Sequence, residues 1–209
     1  MNLKDQKKRA LAINKKLKEL FPVHKIALTH NTPWELLVAV ILSAQSTDIQ
    51  INKITETLFK KYRTLRDYTS VTQSEFEKDI FSSGFYRNKA KNILATAKIV
   101  QKDFKGRVPK TMEELLTLPG VARKTANIVL SDAYGIIEGI AVDTHVKRLT
   151  NKFHLTNEHD PKKIEKDLME LLPQKDWPGF SHRLIFYGRE YCPARGCPQS
   201  HPLKKFEKV

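Results

Sequence analysis

Hydrophobic residues recur along this chain with a helical period. Trp34, Leu37, Val38, Ile41 and Leu42 fall at i, i+3, i+4, i+7 and i+8, which is one stripe of a helix. Ile93, Ala97, Val100 and Phe104 repeat the pattern, as do Ile164, Leu168, Leu171 and Leu172. No stretch sustains period-two alternation, so the spacing predicts an all-α fold. Helix starts are marked by Thr32 with Glu35, Thr72 with Glu75 and Thr111 with Glu114. In each pair the hydroxyl can accept from an orphan N–H while the carboxylate reaches back to the cap. Asp160-Pro161 marks a fourth start, with proline where a missing N–H costs nothing. Gly84, after Phe76 and Ile80, reads as a helix stop.

Organisation follows from the same punctuation. No solenoid repeat and no low-complexity linker interrupts the chain. The break at Gly135 to Gly139 is the best boundary between two helical lobes. The expected division is a helical domain over 26–136 and a second one formed by 1–25 with 137–209. The basic amino terminus lacks an apolar secretory core, and Asp5 and Glu19 interrupt its charge, so a solvated first helix is expected. The longest apolar run, Leu36 to Leu42, is far too short for a membrane span. An intracellular location is the expectation.

Composition narrows the partner. Among 209 residues, 37 Lys and Arg face 23 acidic residues for a formal charge of +14, which favours phosphate-rich surfaces. A hydrophobic content of 40% is enough for a packed core and excludes wholesale disorder. With two cysteines the chain is not a disulfide scaffold. A membrane-surface role is disfavoured, because no helix joins a cationic face to a wide exposed apolar one.

The segment that carries chemistry is Leu116 to Ala133. A helix from Met112 to Leu118 stops at Pro119-Gly120, and a second resumes near Arg123 or Lys124. A turn this short exposes the first N–H groups of the second helix, a ready anion site that grips a phosphate without reading sequence. Gly120 supplies unusual backbone angles and close approach. Gly120, Val121, Ala122 and Arg123 are therefore candidate DNA contacts; Lys147 and Arg148 are further phosphate candidates.

Leu118-Pro119-Gly120-Val121-Ala122-Arg123-Lys124-Thr125-Ala126-Asn127, followed by Ala141-Val142-Asp143-Thr144-His145-Val146, resembles the helix-hairpin-helix and Gly/Pro-Asp signature of the endonuclease III family. Ile41 to Asp48, Gly84 to Ala90 and Leu184 to Arg195 resemble three further motifs, in family order. The resemblance implies a base-excision DNA glycosylase with AP-lyase activity, acting as a monomer on duplex DNA held in a cleft between two lobes. It also implies that Lys124 is the nucleophile and Asp143 its carboxylate partner. Gln45 would fill the hole left by a flipped nucleotide, and Phe85 would wedge the opposite strand.

The residues allow the same chemistry. A lysine attacks carbon only as a neutral amine, which partial burial and a helix amino terminus both favour at Lys124. Asp143 could relay its proton and stabilise positive charge on the sugar. Simpler readings stand beside these. Asp143 is also an N-cap, Gln45 could cap a neighbouring helix, and Phe85 could be core packing with Tyr86 as its core partner. His145 is assigned no chemistry.

Two features depart from the family. Ala122 stands where the hairpin commonly has glycine, which strains the turn if that position needs a positive φ. The family's cluster loop has four cysteines, but here only Cys192 and Cys197 remain, with His201 near the third position. The expectation is no iron–sulfur cluster, no cofactor, no metal, reduced thiols and a tail held by packing of Phe206. A zinc site from Cys192, Cys197 and His201 would lack a fourth ligand at a recognisable spacing. The substrate class expected is oxidised or fragmented pyrimidines. The alternatives are a relative acting on another damaged or mismatched base, or a non-catalytic DNA-binding module.

Overall fold

The computed structural model describes residues 2–23 and 26–208. Eleven α-helices and three short 3-10 turns are present among them, with no strand. The helices are α1 (Leu3–Leu20), α2 (Pro33–Ser43), α3 (Asp48–Lys61), α4 (Leu65–Ser70), α5 (Gln73–Asp79), α6 (Tyr86–Asp103), α7 (Met112–Leu116), α8 (Arg123–Tyr134), α9 (Thr144–Lys152), α10 (Pro161–Leu171) and α11 (Trp177–Glu190). They form two compact units, one from 26–136 and the other from 1–25 with 137–209.

In the 26–136 unit α2 is the central helix. Every residue from Leu36 to Leu42 is buried, so α2 is apolar all round rather than on the single stripe its sequence period suggests. Trp34 lies at its rim, half-buried and edge-on to Tyr68 at 5.2 Å between ring centroids. Helices α3, α6 and α8 pack against it. The α6 stripe behaves as its period predicts, with Ile93, Ala97 and Val100 buried.

The caps form by their hydroxyl half. Thr32, Thr72 and Thr111 accept from the backbone N–H of Glu35, Glu75 and Glu114. Glu35 reaches past the cap to the Asn31 N–H at 2.6 Å, and Glu114 accepts from the Thr111 hydroxyl. Both halves of a capping box meet at Thr64 and Asp67. A shorter aspartate serves there, so the Glu-based pattern overlooks it.

In the other unit α1 is solvated over most of its surface, as expected, and also buries one stripe. Ala10, Ile13, Asn14 and Leu17 are buried against α10 and α11. Its remaining faces carry the lysines, which explains how a basic segment also supplies core. Ile164, Leu168 and Leu171 of α10 and Phe153, Phe180, Leu184 and Tyr187 complete this core. The tail is tied back by Arg9, which donates to the Phe206 and Lys208 carbonyls at 2.7 and 2.9 Å, with Phe206 packed on the core. Cys192 and Cys197 are joined as a disulfide, so the expectation of two free thiols does not hold. A turn closed by the Gly196 N–H on the Pro193 carbonyl folds the segment from Cys192 to Cys197 back on itself.

Leu37→Ala should destabilise the protein by about 2–5 kcal/mol, as expected for a methyl-lined cavity in a fully packed site. Thr72→Ala should cost only about 1 kcal/mol. Urea unfolding of the two variants beside the wild type measures both.

Candidate active site

The turn between α7 and α8 forms as its sequence dictates. Leu118 and Val121 are buried and anchor it, while Pro119-Gly120 crosses the surface. Gly120 has φ +79°, and a Cβ there would lie 3.0 Å from Asn92 of α6. Glycine is thus required twice over, for its backbone angle and for the close approach. The Thr96 hydroxyl donates to the Pro119 carbonyl at 2.9 Å and holds the same turn from α6. Ala122 has φ −95° and ψ 169°, ordinary extended backbone, so alanine in place of glycine carries no strain.

Ala122 is the N-cap of α8 and offers no side-chain acceptor. The first N–H groups of α8 therefore point out of the turn without the hydroxyl cap that α2, α3 and α7 possess. That arrangement suits a phosphate oxygen, and Arg123 begins the helix beside it. Lys124 is the second helical residue and is exposed. The partial burial expected from the sequence is absent in the chain by itself, because α8 turns Ala126, Asn127, Val129 and Leu130 inward instead.

Two other loops carry backbone strain. Gln45 and Phe85 both have positive φ, 56° and 49°, in a region that non-glycine residues seldom occupy. Gln45 is exposed and caps no helix; Thr47 caps α3 instead. Phe85 is 68% exposed, so it is not a core side chain; Tyr86, next to it, packs on the core. Gln45, Phe85 and Gly120 come from separate sequence motifs, yet they line one cleft of about 200 Å³ with Asn88, Lys89 and Asn92.

Lys89 is the residue the sequence reading passed over. It is 5% exposed and donates to the Ser83 carbonyl at 2.7 Å and to the Ser46 hydroxyl at 3.3 Å. Ser46 also donates to the Ser83 carbonyl. One ammonium thus joins the loop after α2 to the loop before α6, the two that carry Gln45 and Phe85. Burial lowers its pKa to about 8. Only its position, three residues after Tyr86 on the inward face of α6, could have signalled this.

In the other unit Asp143 is the N-cap of α9 and accepts from the Val146 N–H at 2.8 Å. The cap reading of this residue therefore holds, and it leaves a second carboxylate oxygen for other work. Arg148 is directed into the fold. Its guanidinium donates to the Cys192 carbonyl at 2.6 Å and lies 3.5 Å from the Cys192 sulfur.

Known proteins resemble this chain in sequence and fold. Residues 38–174 match the family described as HhH-GPD superfamily base excision DNA repair protein. The endonuclease III of Synechocystis sp. is 51% identical over 91% of this chain and 87% of its own length. A solved non-covalent endonuclease III–DNA complex superposes with a TM-score of 0.92 at 42% identity, covering 96% of this chain and 94% of that one. A trapped endonuclease III–DNA covalent intermediate gives 0.90 at 43% identity, with 94% and 93% covered. The chain belongs to the endonuclease III family, base-excision DNA glycosylases with AP-lyase activity. Among the described residues no helix is long and apolar enough to cross a membrane.

Gly120→Ala should weaken binding to abasic duplex by tenfold or more and also lower the melting temperature, measured by fluorescence anisotropy and thermal unfolding. Lys89 yields a pH prediction. Its folded pKa lies below the unfolded 10.5, so the unfolded chain holds the extra proton between about pH 8 and 10.5, and this group adds stability as pH rises through that window. Denaturant unfolding of wild type against Lys89→Met at pH 7 and pH 10 should show the wild type gaining on the variant at the higher pH.

Proposed function

We propose that the chain removes oxidised or fragmented pyrimidines from duplex DNA, with Lys124 as nucleophile and Asp143 as its carboxylate partner. The observation that supports this reading best is the single cleft lined by Gln45, Phe85 and Gly120, with strained backbone at the two loop residues. An exposed amide and an exposed phenyl ring, each held stiffly, suit insertion into a base stack from which a nucleotide has been turned out. Their insertion offsets part of an unstacking cost of about a few kcal/mol.

The α7–α8 turn grips a phosphate through backbone N–H groups, which fixes the strand without reading its bases. Lys124 then lies one helical residue beyond the gripped phosphate. DNA supplies the exclusion of water that the free chain lacks at this exposed amine, and exclusion favours the neutral, nucleophilic form. The Lys124 Nζ forms a bond to C1′ of the deoxyribose as the glycosidic C–N bond breaks, and the base leaves with the electron pair and takes a proton. Asp143 accepts the proton that the amine sheds and offsets positive charge on the sugar. The sugar ring opens to a Schiff base between Nζ and C1′. Loss of a C2′ proton breaks the 3′ C–O bond and cuts the strand on that side, and water then releases the lysine.

No cofactor takes part in these steps. The cluster that the resemblance implies does not fit these residues. Four irons need four good ligands, which in this family are thiolates, and the sequence holds only two cysteines. The chain works as a monomer in the cytoplasm, on the nucleoid, where its substrate is.

Borohydride should trap a covalent complex between the wild-type chain and a duplex carrying thymine glycol, visible as a shifted band on a denaturing gel. Lys124→Ala should lose the band entirely while still binding abasic duplex. Lesion choice is read from the same assay with 5-hydroxycytosine, uracil opposite guanine and alkylated adenine. A preference for either of the last two would replace the pyrimidine-oxidation reading.

A further inference from the structure

We propose that the reduced chain holds one zinc-class divalent cation between Cys192, Cys197, His201 and Glu207. The sequence offers three of these as candidates and no fourth; the fold supplies it. The 3-10 turn Lys204–Glu207 starts with the Lys204 N–H on the His201 carbonyl and carries the Glu207 carboxylate back over the imidazole. The ligand atoms of Cys197, His201 and Glu207 then all lie within 4.8 Å of one another. The Cys192 sulfur, bonded to that of Cys197, stands next to this group and supplies the fourth ligand once the bond is reduced. Two thiolates, one imidazole and one carboxylate make a complete tetrahedral zinc set.

The surroundings fit a metal ligand at His201. Its side chain is 1% exposed, and Nδ1 is hydrogen-bonded to the Tyr187 hydroxyl, which also accepts from the Leu203 N–H at 3.1 Å. This leaves Nε2 facing Glu207 Oε1 at 2.7 Å. An outer partner on one ring nitrogen fixes the ring for metal binding by the other. On loading, the ion replaces the Nε2 proton, and the neutral ring keeps a proton on Nδ1, donated to Tyr187.

Charge selects the ion. Two thiolates and a carboxylate around a divalent cation leave one negative charge, and three cationic side chains stand outside it. Lys152 and Lys204 reach Glu207 at 3.0 and 2.6 Å, and Arg148 reaches the Cys192 sulfur. Those cations offset the negative charge of the loaded site, and two thiolates with an imidazole suit zinc rather than calcium or magnesium. The disulfide and the metal site are alternative states of one loop. A dithiol reductant delivers two electrons and two protons, the S–S bond breaks, and the ion displaces both thiol protons as the Zn–S bonds form.

The test uses the full chain, reduced with a phosphine, stripped with a chelator and titrated with Zn²⁺ under anaerobic conditions. One zinc per chain by native mass spectrometry is expected, with a higher melting temperature as the ion binds the folded state. Co²⁺ as a probe should give thiolate charge-transfer and tetrahedral ligand-field bands. Tyr187→Phe should lower zinc affinity about tenfold, and Glu207→Ala or His201→Ala by more. A reduced wild-type chain that takes up no stoichiometric zinc overturns the proposal, without recourse to any variant. So does equal affinity in Glu207→Ala and His201→Ala, or four irons per chain after iron and sulfide reconstitution.

Discussion

Three polar side chains on one face of α6 fasten the loops that line the cleft of Gln45, Phe85 and Gly120. Lys89 joins the loops carrying Gln45 and Phe85, Asn92 meets Gly120, and Thr96 holds the Pro119 carbonyl. They stand at i, i+3 and i+7, so a single helix fixes them all at once. The adjoining face of α6 is core, with Ile93, Ala97 and Val100 packed against the unit's other helices. The apolar packing therefore sets the position of the polar face, and the polar face sets the loops.

This explains how strained backbone survives where function needs it. Left-handed conformations at Gln45 and Phe85 each cost on the order of 1–3 kcal/mol, and they persist only where neighbouring structure holds them. A buried ammonium with two acceptors supplies that hold, and its own burial is a second cost accepted at the same place. Side chains held in this way need little further ordering to make the insertion proposed for them.

The unit containing Asp143 is organised around its tail. Arg148, directed at the Cys192 carbonyl and sulfur, and Arg9, directed at the Phe206 and Lys208 carbonyls, use positive charge inside the fold that composition alone assigns to DNA. The network from Tyr187 through His201 to Glu207 and the two lysines is polar, continuous and largely buried. Such a network is satisfied by hydrogen bonds when the loop is oxidised, and its donor atoms are those a metal needs when it is reduced.

Helical period, caps and the Pro-Gly turn were legible in the sequence, because a helix stripe or a tight turn is decided by residues a few positions apart. Exposure and partnership could not. Leu36 to Leu42 became wholly buried because helices from elsewhere in the chain surround them; α1 joined a core 120 residues away; and Lys124 stayed in water because α8 turned other residues inward. The meeting of Gln45, Phe85 and Gly120, the clamp at Lys89 and the return of Glu207 to His201 are likewise long-range events. Each depends on packing that fixes distance between segments, a quantity that no local pattern of residues contains.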